Sequence, residues 1–182
     1  PDSMLSCPSA AAVTTTCMSD AEYDCIASRV NDLIDNLPGT CEANTCPKAD
    51  FAGCVLRLAG HDFMDFNLAT GTGGADGCVN FGDTDNIGLE GCMNADFVNG
   101  GIDDASLSTT SLQSIYETIC HKISLADFIV LAAEAVMSHL STSGVINFKA
   151  NFKYGRTTAS TCSPPPLPNA EGSCTEVHRV FI

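Results

Sequence analysis

Ser124-Leu-Ala-Asp127-Phe-Ile-Val-Leu-Ala-Ala-Glu-Ala-Val-Met-Ser-His-Leu140 reads as one helix, apolar on every side. Ser124 is a strong N-cap, and Asp127 stands where a capping box usually has glutamate. A helix with alanines and leucines all round is stable only when other helices wrap it. The neighbouring sequence supplies them. Ser19 caps a helix with Asp20 and Glu22 in its first turn. Ile26, Val30, Leu33, Ile34 and Leu37 repeat at helical spacing until Pro38-Gly39. Pro47 opens a second helix through Val55, Leu56 and Leu58 to about Phe63. Shorter helices are expected over 88–97 and 112–121, and a last one from the Ser173–Glu176 box onward. Gly144 to Phe148 is the one candidate strand. The expected fold is mainly α, with long irregular loops: a Cys-containing arm over 1–18 and a helical domain over 19–182.

Composition narrows the function classes. The chain has 182 residues, 45% of them hydrophobic, and a domain of this size buries roughly 70% of its unfolded surface. Twenty-two acidic against eight basic residues give a net charge of −14, which repels phosphate and argues against nucleic acid and anionic membrane. The longest apolar run, Phe128–Met137, is interrupted by Glu134 and is too short for membrane insertion. No basic segment followed by an apolar stretch opens the chain, so any targeting segment is expected to have been removed.

Eleven cysteines without a CxxC pair point to a disulfide framework and to an oxidising setting, whether secreted, cell-surface or lumenal. An odd count leaves one thiol free or paired with another chain. No N-x-[ST] sequon occurs.

The chemistry-bearing residues begin at Leu56-Arg57-Leu-Ala-Gly-His61-Asp62. Four residues on a helix set Arg57 and His61 on one face, about 6 Å apart along the axis. A proton acceptor then lies beside a permanent cation. Gly73-Gly-Ala-Asp76-Gly-Cys78 and Asp85-Asn86-Ile-Gly-Leu-Glu90 follow, and later come the Ser124 helix, Tyr154-Gly-Arg156 and Leu167-Pro-Asn-Ala170. Singly, each of these is explained by turn chemistry, a solvated arginine or an ordinary core helix. As an ordered set they resemble the non-animal haem peroxidase superfamily, with the secreted fungal and plant branches closest, over about residues 20–182.

The resemblance implies a haem b cofactor, hydrogen peroxide as oxidant and a reducing substrate as electron donor. His61 would move the peroxide proton, Arg57 would stabilise charge as the O–O bond breaks, and Asn86 would hold the His61 ring. Asp62, Asp76 and the backbone at Gly74 would bind calcium through hard oxygen ligands. Asp127 and Arg156 would form a buried structural ion pair.

Some positions depart from the pattern. Gly60 stands where the family has an aromatic, which opens the peroxide pocket and loosens the helix by roughly 0.5–1 kcal/mol. Cys78 stands where a serine or threonine oxygen usually meets calcium, and is expected to be disulfide-bonded. The family's proximal haem ligand follows the Leu-Pro-x-Ala region, and His121, His139 and His178 do not match it. The sequence thus reads as a distal half, cut or incomplete at Ile182, with a proximal half or partner chain expected. The alternative is a peroxidase-fold protein retired to a structural or binding role in a larger extracellular or lumenal assembly.

Overall fold

The computed structural model describes residues 18–42, 45–94, 111–143, 147–162, 167–169 and 172–181. Its helices are α1 (Asp20–Asn36), α2 (Pro47–Phe63), α3 (Glu90–Asn94), α4 (Leu112–Ile119), α5 (Leu125–Leu140) and α6 (Cys174–Phe181). Single 3-10 turns cover Thr84–Asn86 and Lys149–Asn151. Among the described residues there is no strand, only isolated bridges at Glu42–Thr45 and Asn67–Thr72. The mainly α expectation holds. The expected 1–18 arm lies almost wholly outside the described residues, as do 144–146 of the candidate strand. The helix expected over 88–97 starts at Glu90, and residues beyond Asn94 lie outside the description.

α5 is the hub, with α1 and α2 packed along it. Ten of its residues are buried, from Leu125 to Val136 and on all sides, as its composition requires. Phe128, Leu131 and Val136 meet Val30 and Ile34 of α1 and Phe51, Val55 and Leu58 of α2 in one core. Each such side chain contributes roughly 1.5–3 kcal/mol by leaving water. Tyr116 of α4 packs on Phe128, ring centroids 5.2 Å apart.

Local signals set the boundaries. Ser19 and Glu22 form a full capping box on α1. On α5 only half of the expected box forms: Ser124 Oγ accepts the Asp127 N–H at 3.0 Å, but the Asp127 carboxylate turns to another segment. α2 begins with Pro47 in its first turn, and Asp50 accepts the Cys46 N–H at 2.7 Å.

Three complete disulfides, Cys41–Cys46, Cys54–Cys92 and Cys78–Cys162, staple the loops, and Cys120 is also bridged. Cys54–Cys92 ties α2 to α3. Among the described cysteines, Cys25 and Cys174 are free.

Candidate active site

α2 carries His61 near its C-terminal end, half-buried, and Arg57 one turn earlier, exposed. The loop that folds back over them holds the 3-10 turn Thr84–Asn86, capped by the Asp83 side chain. Arg57 grips this loop: its guanidinium donates to the carbonyls of Asp85 (2.9 Å) and Ile87 (3.2 Å). Asn86, between those carbonyls, is 2% exposed and reaches back to His61.

The Asn86–His61 bond defines a proton position. Asn86 Nδ2 donates to the Asn80 carbonyl at 2.9 Å, and a carbonyl can only accept. The amide is therefore oriented with Oδ1 toward His61, 2.8 Å from Nδ1. An amide oxygen also only accepts, so Nδ1 must carry the hydrogen. His61 Nε2 is left as a free acceptor when the ring is neutral.

Arg57 and His61 line a cavity of about 810 Å³ together with Met64, Thr84, Asp85, Leu167, Pro168, Asn169 and Glu176. The structure thus brings Arg57, His61 and Asn86 together, and it sets the Leu167-Pro-Asn stretch on the same cavity. The remaining histidines are elsewhere. His139 bonds Asp35 at 2.9 Å, His121 lines a separate small cavity beside Cys25, and His178 is exposed.

The acidic loop starts one residue after His61. Asp62 is 1% exposed; its Oδ2 accepts the Gly77 N–H at 3.1 Å, and its Oδ1 is buried with no partner. Burial pushes its carboxyl up to about 7, and the charges of Asp76 and Asp65 push the same way. Asp65, 3% exposed, accepts the Gly74 N–H and is pushed up to about 6, chiefly by burial. Asp76 is also raised by burial, while its Oδ1 accepts the Cys78 N–H at 3.0 Å.

Glycine makes this packing possible. A Cβ on Gly73 would lie 2.5 Å from the Asp65 carbonyl oxygen, and one on Gly77 2.7 Å from Ala126 N at the start of α5. Both residues have positive φ.

Asp62, at the end of α2, therefore lies against the glycine loop that carries Gly74 and Asp76. Among the described residues no three His, Cys, Asp or Glu side chains are grouped tightly enough to hold a metal. Among the described residues, Asp62 Oδ1 is a buried carboxylate oxygen with no hydrogen-bond partner. Cys78 is bridged to Cys162, so its sulfur is not available as a ligand.

Asp127 and Arg156 also meet. Asp127 accepts from Arg156 Nη1 (2.8 Å), Gly155 N (2.7 Å) and Arg156 N (3.3 Å). The pair expected to be buried is buried at Asp127 and partly open at the Arg156 side chain, which is 28% exposed. The Arg156 guanidinium lies over the Phe152 ring, 5.6 Å from its centroid. Asp65 and Met64 were not singled out by sequence, and Glu176 only as part of a capping box.

Compared with known families, residues 27–181 match Peroxidase. The chain belongs to the peroxidase family. With that membership come a peroxidase-type fold and function, and members generally bind haem. A comparison with curated proteins finds no significant match. Among the described residues no helix is long and apolar enough to cross a membrane.

Proposed function

We propose that this chain is the distal half of a haem-dependent peroxidase, reducing hydrogen peroxide at the expense of an electron donor. The observation that carries the reading is the Asn80–Asn86–His61 chain, which leaves His61 Nε2 free to accept a proton in a cavity shared with Arg57. Arg57 and His61, with Asn86 behind the ring, suit the peroxide side of a haem site. None of the other described histidines lines this cavity, and the reading includes a proximal half or partner chain that would complete the haem site. When bound, haem b would supply the iron to which peroxide coordinates and the electrons that cleave it.

The protein's own residues then act as follows. His61 Nε2 takes the proton from one peroxide oxygen and returns it to the other, so that the latter departs as water. The bond from Nδ1–H to Asn86 keeps the ring in the required tautomer and steadies the imidazolium that forms transiently. Arg57, fixed through the Asp85 and Ile87 carbonyls, places a permanent positive charge where negative charge develops. The Leu167–Asn169 stretch and Glu176 wall the cavity on the far side.

We further propose that Asp62, Asp76 and the Gly74 carbonyl hold calcium, with Asp65 supporting the loop from behind. Asp127 and Arg156 act structurally, tying α5 to the Gly155 turn. The disulfides favour an oxidising compartment, secreted, cell-surface or lumenal. A retired, non-catalytic protein of this fold is the second reading, and the bare Gly60 beside His61 is what favours it.

The test is the natural, intact protein. A haem absorption band is expected, with peroxide reacting at a rate that falls about 10²–10⁴-fold in His61→Ala. An intact protein that takes up no haem, or a His61→Ala variant as fast as the parent, sinks the catalytic reading in favour of the retired one.

A further inference from the structure

Gly60 leaves a gap beside His61. A Cβ built there would meet only Met64 Cε, at 3.6 Å. The Met64 methyl group therefore rests over bare helix backbone, and the side chain, half-buried, forms part of the wall shared with Arg57 and His61. The other described methionines are placed differently. Met93 is 2% exposed in the core. Met18 and Met137 are half-buried like Met64, but neither lines this cavity. Similar exposure with a different neighbourhood makes them internal references.

We propose that Met64 is a peroxide-dependent modification site, its thioether converted to the sulfoxide by hydrogen peroxide held between Arg57 and His61. The inference rests on the peroxide reading of this cavity. The sulfur lone pair attacks one peroxide oxygen; an S–O bond forms as the O–O bond breaks. Sulfur is oxidised by two electrons and the peroxide is reduced. The proton on the attacked oxygen passes through His61 to the departing oxygen, which leaves as water. One thioether and one peroxide give one sulfoxide and one water. Arg57 stabilises the departing oxygen while its charge is largest. The groups that make peroxide reactive toward a donor thus make it reactive toward the cavity's own wall. The product replaces a flexible apolar group with a polar one and is open to enzymatic reduction.

The experiment is peroxide titration of the intact protein, with oxidation followed peptide by peptide. Met64 is expected to gain oxygen about tenfold faster than Met18 or Met137, a modest share of what a positioned proton-transfer group contributes. That advantage should disappear in His61→Ala, while Met64→Leu should remove the fast phase and leave Met18 and Met137 unchanged. Equal rates at the three methionines, or a Met64 rate untouched by His61→Ala, overturns the proposal. A donor-oxidation assay on the same samples separates it from the parent reading. Donor turnover with Met64 unmodified defeats this inference alone. Rapid, His61-dependent Met64 oxidation without donor turnover supports it and defeats the peroxidase reading instead.

Discussion

Asp62 and Asp127 are both 1% exposed, and the glycine loop touches both of their surroundings. Their circumstances are otherwise opposite. Asp127, at the start of α5, receives two backbone N–H groups and the Arg156 guanidinium. Asp62, at the end of α2, receives the Gly77 N–H on one oxygen, has a buried orphan on the other, and faces two further carboxylates. A buried charge is tolerated when paired and costly when not. The chain itself completes the first site. The second leaves one buried carboxylate oxygen unmatched, and the calcium proposed above would meet it. Glu134 is the intermediate case: half-buried, raised by that burial, and bonded to the Tyr23 hydroxyl at 3.0 Å.

Removing the completed site should have the largest effect. Asp127→Ala takes the carboxylate from the Arg156 guanidinium and strands the Gly155 and Arg156 N–H groups, and should destabilise the fold by about 3 kcal/mol, the low end for a broken buried pair because Arg156 keeps the Lys153 carbonyl and some water. Denaturant unfolding measures this, and a loss under about 1 kcal/mol would place the two aspartates in the same class.

Next comes the loop between them. Gly77→Ala must fit a Cβ 2.7 Å from Ala126 N at φ +71°. A cost of about 2–3 kcal/mol is expected, together with weaker calcium binding. An alanine accepted without loss would mean that the loop does not press on α5.

The incomplete site should respond to its missing partner. Calcium at a hundred times its dissociation constant should stabilise the protein by about 2.7 kcal/mol. Asp62→Asn should abolish that response while stabilising the calcium-free protein, since it removes an unpaired buried charge. A calorimetric melt with and without chelator reads both, and a calcium response that survives Asp62→Asn would relocate the site.

The smallest effect belongs to the intermediate case. Tyr23→Phe removes one hydrogen bond to a carboxylate that keeps partial contact with water, a loss of about 1 kcal/mol by thermal melting.

The helices were legible because their signals are local. α5 announced itself by its cap and its unbroken apolar surface, α1 by Ser19 and its period, and α2 by Pro47. The His61–Asn86 geometry was legible only through an ordered set of motifs, since nothing local says that residues 84–86 fold back over α2. Asp65 stayed hidden because its environment is made by the backbone of Gly73 and Gly74, a contact with no side-chain pattern. Disulfide partners were equally hidden: cysteine spacing cannot tell Cys78–Cys162 from other pairings, whereas the joining of the glycine loop to the 154–162 segment can. The pairing of Asp127 with Arg156 followed from the ordered motifs, but the partial exposure of its Arg156 end did not, because residue identity does not reveal how near the surface a turn lies.

The Cys78–Cys162 bridge has a kinetic consequence. It closes 84 residues of sequence and fastens the acidic loop to the strip beside α5, where Asp76 also accepts the Ala159 N–H at 2.9 Å. A loop anchored in this way keeps its shape whether or not an ion occupies it. For the proposed calcium, entry and exit would then be exchange steps at a standing scaffold, with a rate set by oxygen–metal bond breaking and water access rather than by unfolding. Transient chelation would empty the site and leave the His61 face in place, ready to be refilled. Reducing the bridge would convert the same ion loss into a slow structural failure.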